Sequence, residues 1–303
     1  MKSQACKWCE IAICGNAEID CAVGQNRRMM ASWQVWLREW PCAKKPDGLG
    51  ATAVLGSACF PSDISGSIAL LDGLYKVEYG VNDAFGRSIM CMHDGKLLGG
   101  NSAFAHLGSY VERDGEIIAE VITERHNDDP NYKPLMGADV AAIGARGRLV
   151  GNQIRLAGSA DTMPGAGFWA NLTRLDDEGL PPQGTIGPGG VVNGLYAIHL
   201  RALDGVDAGL SGVMLLIDGR ILGGDAFFYY LGSYSSADGR WKGEMLNQEH
   251  TPAKGENPVF GGYEVGIGFS GTCTADSGEL EGIALAGKRS LRLAASLKLM
   301  RRA

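Results

Sequence analysis

Asp94-Gly95-Lys96-Leu97-Leu98-Gly99-Gly100 returns 124 residues later (218 − 94) as Asp218-Gly219-Arg220-Ile221-Leu222-Gly223-Gly224, and this echo decides the fold. The flanks echo with it. Asp72-Gly73-Leu74-Tyr75 matches Asn193-Gly194-Leu195-Tyr196 at an offset of 121 (194 − 73). Leu107-Gly108-Ser109-Tyr110 matches Leu231-Gly232-Ser233-Tyr234, Asp114-Gly115 matches Asp238-Gly239, and His126 matches His250, all at 124. The step from 121 to 124 puts three extra residues into one turn of the second copy. A repeat this long is a duplicated domain and not a solenoid period. Positions shared by both copies report what the fold needs. Positions that differ show where the copies have diverged.

Within each copy the pattern is short strands broken by Gly, Asp and Asn. In the first, Leu74–Tyr79 runs into Asn82-Asp83, and Ser88–Met92 into His93-Asp94-Gly95, a tight-hairpin signal. Lys96–Ala103, Ala105–Val111 and Glu116–Glu124 follow, then Ala138–Ala145, Leu149–Ala157 and Gly167–Leu175. Eight antiparallel strands with no helical periodicity predict a small closed barrel, because closure removes exposed edges. A flattened sandwich is the competing architecture. Gly99-Gly100 and Gly223-Gly224 fit a bulge or sharp bend at a barrel corner better than a ligand-contacting loop. Gly-x-Tyr at the head of each unit is expected to plug the barrel end with a ring.

The domain reading is therefore all-β: a first barrel over 67–176, a second over 191–303, and a mobile Pro/Gly linker over 177–190. Residues 1–66 are different. They hold six of the eight cysteines and four of the six tryptophans, with no sustained period. They are expected to be an unfolded tail or an extension from a misplaced start. Cys6, Cys9, Cys14 and Cys21 match no common zinc spacing and have no histidine nearby. Gly48–Ala58 before Cys59 faintly imitates a lipoprotein signal but lies far from Met1. Each repeat keeps one cysteine, Cys91 or Cys273, at non-equivalent positions, which points to a reducing, cytoplasmic setting.

Composition is ordinary for a soluble protein, with a net charge of −6. No basic stripe is present, so direct nucleic-acid binding is not expected. No apolar run reaches the ~20 residues of a membrane-spanning helix, so no membrane contact is expected.

No catalytic pattern is legible. Of the five histidines only His126 and His250 are equivalent, and each closes a long strand before a polar turn, as a barrel-rim residue would. Neither repeat has a metal-ligand spacing, a nucleophile elbow or a phosphate loop. No catalytic residue, cofactor or metal is expected. One difference between the copies is chemical. The turn after Gly-Ser-Tyr reads Glu112-Arg113-Asp114-Gly115-Glu116 in the first and Ser236-Ala237-Asp238-Gly239-Arg240 in the second.

Taken together, Asp-Gly-x-Tyr, then a strand, Asp-Gly-x-Leu-x-Gly-Gly and the Gly-Ser strand resemble the GrlR-type negative regulators of type III secretion. Residues 72–126 carry the resemblance and 193–250 repeat it. It implies lipocalin-like eight-stranded barrels that work by capturing a protein, a transcriptional activator in that family. It also implies contact through an acidic run in the turn after the fourth strand. Here Glu112, Asp114 and Glu116 match that run in part, interrupted by Arg113 and Gly115. Two tandem copies would imitate a homodimer. The expected function is non-catalytic regulation through a protein partner; the alternative is a barrel that binds a small apolar ligand.

Overall fold

The computed structural model describes residues 71–175, 181–203, 210–253 and 264–303. The readings made for residues 1–66 and for the three extra residues of the second copy fall outside these. The first barrel consists of β1 (Gly73–Val81), β2 (Ala84–His93), β3 (Lys96–Gly100), β4 (Phe104–Arg113), β5 (Glu116–Arg125), β6 (Val140–Val150), β7 (Gln153–Ala160) and β8 (Phe168–Arg174). The second consists of β9 (Gly194–Ala202), β10 (Leu210–Ile217), β11 (Arg220–Gly224), β12 (Phe228–Ala237), β13 (Arg240–Glu249), β14 (Val265–Cys273), β15 (Ser277–Ala286) and β16 (Arg289–Arg302). Each strand pairs antiparallel with the next. β1 closes on β8 from Tyr75↔Arg174 to Val81↔Phe168, and β9 closes on β16. The all-β architecture of two tandem closed eight-stranded barrels is the one the repeat implies, and it excludes the sandwich.

Turn chemistry sets the register. Asp94-Gly95, Asp114-Gly115, Asp218-Gly219 and Asp238-Gly239 all have positive φ at both positions, as the tight type I′ hairpin requires. The expected turn near Gly147 is not there. β6 runs on to Val150 and turns at Gly151, because Gly147 lies inside the ladder. A Cβ on it would come within 1.7 Å of the Arg155 carbonyl oxygen. That glycine permits close strand approach and does not end the strand.

Inside the first barrel, Tyr75, Tyr79, Met90, Met92, Tyr110 and Phe168 are among the core side chains. Tyr75 and Tyr196 stand at equivalent interior positions, and their hydroxyls donate to the Leu71 and Val192 carbonyls, each at 2.8 Å. Cys91 and Cys273 are buried and form no disulfide among the described residues.

The outer faces of β1–β4 and β9–β12 are apolar as well, and they pack on one another. Leu74, Ile89, Cys91, Leu98 and Leu107 meet Leu195, Val213, Leu215 and Leu231 in a third core between the barrels. This explains why β2 is buried continuously from Ser88 to Met92, while β6 and β15 alternate buried and exposed. The interface is built from the same positions on both sides. Ile89 corresponds to Val213, and Gly100 to Gly224. A Cβ on Gly100 would lie 2.8 Å from Val213 Cγ1, and one on Gly224 would lie 2.6 Å from Ile89 Cγ1. The second glycine of each pair thus serves two approaches: its own barrel's carbonyl, Phe104 O at 2.4 Å or Phe228 O at 2.2 Å from such a Cβ, and the other barrel. This adds to the corner reading, which the positive φ at Gly100 and Gly224 fits, and it makes the contact isologous in form, like a two-fold dimer interface within one chain.

The linker also departs from expectation. Its described part is not a free spacer. Gly187 N–H donates to Ser236 O (2.8 Å), Ser236 N–H to Thr185 O (3.0 Å), Asp238 N–H to Pro188 O (2.8 Å) and Gly239 N–H to Gly189 O (3.0 Å). Ile186 bridges Ser236 in parallel. Glycines at 184 and 190 make this fit possible: side chains there would collide with Tyr234 O and Ser236 Oγ.

Candidate functional site

The structure places Glu112, Asp114 and Glu116 together on the β4–β5 hairpin, where Arg113 pairs with Glu116 across the turn. Asp114 is exposed, while Glu112 and Glu116 are half-buried. Arg146 Nη1 lies 3.8 Å from Glu116 Oε2, so part of the acidic charge is answered by the neighbouring strand. The matching β12–β13 hairpin lies under the linker. Ser236, the counterpart of Glu112, is 2% exposed beneath Gly190. A carboxylate there would be buried against backbone, which accounts for Ser236 in place of Glu112; Arg240, the counterpart of Glu116, is exposed and nothing in the structure explains its change.

At the opposite end of each β4-type strand, an Asx residue organises the turn that leads into it. Asn101 Oδ1 accepts from Ala103 and Phe104 N–H (3.0 and 2.9 Å), and its Nδ2 donates to the Tyr79 hydroxyl (3.0 Å) and the Arg87 carbonyl (3.1 Å). Asp225, its counterpart, accepts from Phe227 and Phe228 N–H (2.8 and 2.9 Å), and its Oδ2 accepts from the Tyr230 hydroxyl (3.1 Å). Burial raises the Asp225 carboxyl above its ordinary range; the hydrogen bonds from Phe227, Phe228 and Tyr230 oppose this.

The shared histidines tie these turns down. His126 Nε2–H donates to Asn101 O at 3.0 Å, and His250 Nε2 approaches Asp225 O at 3.4 Å. Since a carbonyl can only accept, the proton is assigned to Nε2. Burial lowers both imidazoles, His250 to about 4, with the nearby His199 lowering His126 further. They are structural ties at the barrel rim, each reaching back across 25 residues. The loop after His126 also joins the barrels: Asn127 Nδ2 donates to Ser211 Oγ (2.7 Å), and Ser211 Oγ donates to Ser102 O (2.9 Å).

Each barrel keeps a residual cavity at this end. The first, of about 70 Å³, lies among Val77, Met90, Phe104, Ala119, Val121 and Phe168 under Leu135 and Met136, with Ser88, His106 and Thr123 among its lining. The second, of about 50 Å³, is bordered by Ile198, Leu200, Gly212, Asp225, Tyr230 and Asn247. Both are far below the ~300–1,000 Å³ of typical ligand pockets. The sequence singled out none of these interior polar residues. Ser88, His106 and Thr123 lie in apolar runs, and only the closed sheet shows that they face inward.

On the surface, Asp72, His93 and Asp94 bring ligand-type atoms within 4.8 Å of one another. His93 Nδ1 lies 3.1 Å from Asp72 Oδ2, and the Tyr110 hydroxyl donates to Asp72 Oδ1 at 3.1 Å. The imidazole and the hydroxyl already engage the Asp72 carboxylate, so the group forms a hydrogen-bonded cluster in its own right.

No protein-family model matches the chain, and no curated protein sequence matches it. Among solved structures it is similar to a Bacteroides fragilis protein provisionally described as an outer membrane protein. That similarity spans 77% of this chain and 98% of the other at 10% identity, with a TM-score of 0.22. Superposition this poor leaves that protein's role without bearing on this one.

Proposed function

We propose that the chain is a non-catalytic regulatory protein that captures a basic protein partner on the first barrel, with its two barrels standing in for a dimer. The observation that carries the reading is the unequal fate of two equivalent hairpins. In the second barrel the chain's own linker seats on the β12–β13 turn. In the first, the exposed Asp114 is flanked by Glu112 and Glu116. The motif resemblance described above supports the same surface. An acidic turn steers a cationic partner at long range, and such attraction weakens as salt rises. The partner in this reading is a transcriptional regulator.

The test is to recover partners with the full chain and identify them. Affinity is then measured for the wild type, for Glu112→Ala/Asp114→Ala/Glu116→Ala, and for Asp238→Ala. The triple variant is expected to bind at least tenfold more weakly and with a shallower salt dependence, while Asp238→Ala binds as wild type. Equal losses in the two variants, or an unchanged triple variant, would refute the proposal.

A further inference from the structure

The two barrel cavities sit at equivalent positions but differ in how their polar groups are satisfied. In the second barrel the Tyr230 hydroxyl is bonded to Asp225, and Gly212 removes the hydroxyl that Ser88 supplies in the first. In the first barrel Ser88 is 1% exposed and His106 is 6% exposed, and both line the cavity. Ser88 Oγ and His106 Nε2 are fully buried without a hydrogen-bond partner. Groups in this state are costly unless something bonds to them. Burial holds the His106 imidazole neutral, down to about 4, so the site carries no charge of its own. The remaining lining is almost wholly aliphatic or aromatic.

We infer that the first barrel holds a binding site for a very small neutral molecule with one hydroxyl or carbonyl head and an apolar body, the head bonding to Ser88 and His106. A charged ligand is excluded, because no lining group would compensate its desolvation. Volume limits the size. An apolar cavity of about 150 Å³ holds benzene, so 70 Å³ suits about three or four non-hydrogen atoms. Water competes for the same two polar atoms, which meet the lower bound of about two to four partners for an ordered water, while an alcohol or ketone adds contact with the apolar lining. Leu135 and Met136 belong to the lining, with the Met136 carbonyl accepting from Thr162 Oγ1 at 2.6 Å. A ligand this small binds weakly, with a Kd no tighter than tens of micromolar.

The experiment is a titration of the full chain with 2-propanol, acetone and, as an oversized control, cyclohexanol, followed by amide and imidazole chemical shifts. Saturable shifts at Ser88, His106 and Thr123 with 2-propanol or acetone are expected, with none at Gly212 or Tyr230. Ala119→Val, which narrows the cavity without touching the polar pair, should weaken binding at least tenfold. Ser88→Ala should do the same while leaving the fold spectrum intact. The inference fails if no saturable shift is seen, which would mean that the cavity holds water only. It also fails if both barrels respond alike, or if Ala119→Val binds as wild type.

Discussion

The first and second barrels share a skeleton and differ at three places: the turn beside the linker, the Asx residue at the rim, and the polar lining of the cavity. What they share is what closure and docking need. The Asp-Gly turns, the interior Tyr75 and Tyr196, the rim histidines and the interface glycines Gly100 and Gly224 recur at matched positions. Where they differ, equivalent positions meet their polar groups in different ways. The linker answers the backbone of the β12–β13 hairpin, and Tyr230 answers Asp225, whereas Ser88 and His106 have no internal answer.

The strongest way to break this comparison is at the interface. Gly100→Val and Gly224→Val each place a branched side chain where a Cβ already collides both with its own barrel's Phe104 or Phe228 carbonyl and with the other barrel, at φ of 155° and 154°. Each should lower the unfolding free energy by about 3 kcal/mol, from overpacking plus backbone strain, as read from denaturant midpoints. Nearly equal losses are expected, because the contact is built from equivalent positions. A loss confined to one variant would show that the two-fold character is only formal.

Acid titration sharpens the comparison next. His106 and His250 are both held near 4, chiefly by burial. A base whose folded pKa is lowered binds its proton more readily once unfolded. Stability is therefore full above the ordinary histidine pKa and falls as pH drops from about 6.5 toward 4. Each histidine should contribute a slope of about 1.4 kcal/mol per pH unit in that window. Replacing His106 with Leu, or His250 with Asn, should flatten the profile by one such contribution. An unchanged slope would mean that the imidazole is not buried in solution.

The rim Asx pair gives a smaller effect of opposite sign. Asp225 has a raised folded pKa, so its protonated form favours the fold. That contribution is complete below the unfolded carboxyl pKa and is lost as pH rises through the folded value. Asp225→Asn installs the residue type found at the equivalent Asn101 and removes the buried carboxylate that accepts from the Tyr230 hydroxyl. It should stabilise the chain by about 1 kcal/mol at neutral pH and give no gain at pH 3, as measured by thermal unfolding across pH. The smallest effect should come from Gly184→Ala. Its Cβ would lie 1.8 Å from the Tyr234 carbonyl oxygen, displacing a surface segment. A loss of about 0.5 kcal/mol is expected, with faster proteolytic cleavage within 181–190. Resistance equal to wild type would show that the linker's seating is not needed to hold it.

The sequence by itself determined the strand number, the duplication and four of the hairpin turns. Asp-Gly pairs between apolar runs act through φ preferences of two residues, which need no distant neighbour. It also marked Glu112, Asp114 and Glu116 as a difference between the copies. Only the tertiary structure decided what the apolar outer faces of β2 and β10 are for. A run such as Ser88–Met92 reads the same whether its second face meets solvent, a ligand or another barrel. The second glycine of each Gly-Gly pair read as a corner, which its positive φ fits, but a missing side chain records room and not the other barrel that also occupies it. Gly147 shows the same ambiguity, since inside a strand it serves close pairing and in a loop it would end the strand. Ser88 and His106 became visible as a pair only when closure turned alternate residues inward, because the two are 18 residues apart (106 − 88) and meet only when the barrel is shut.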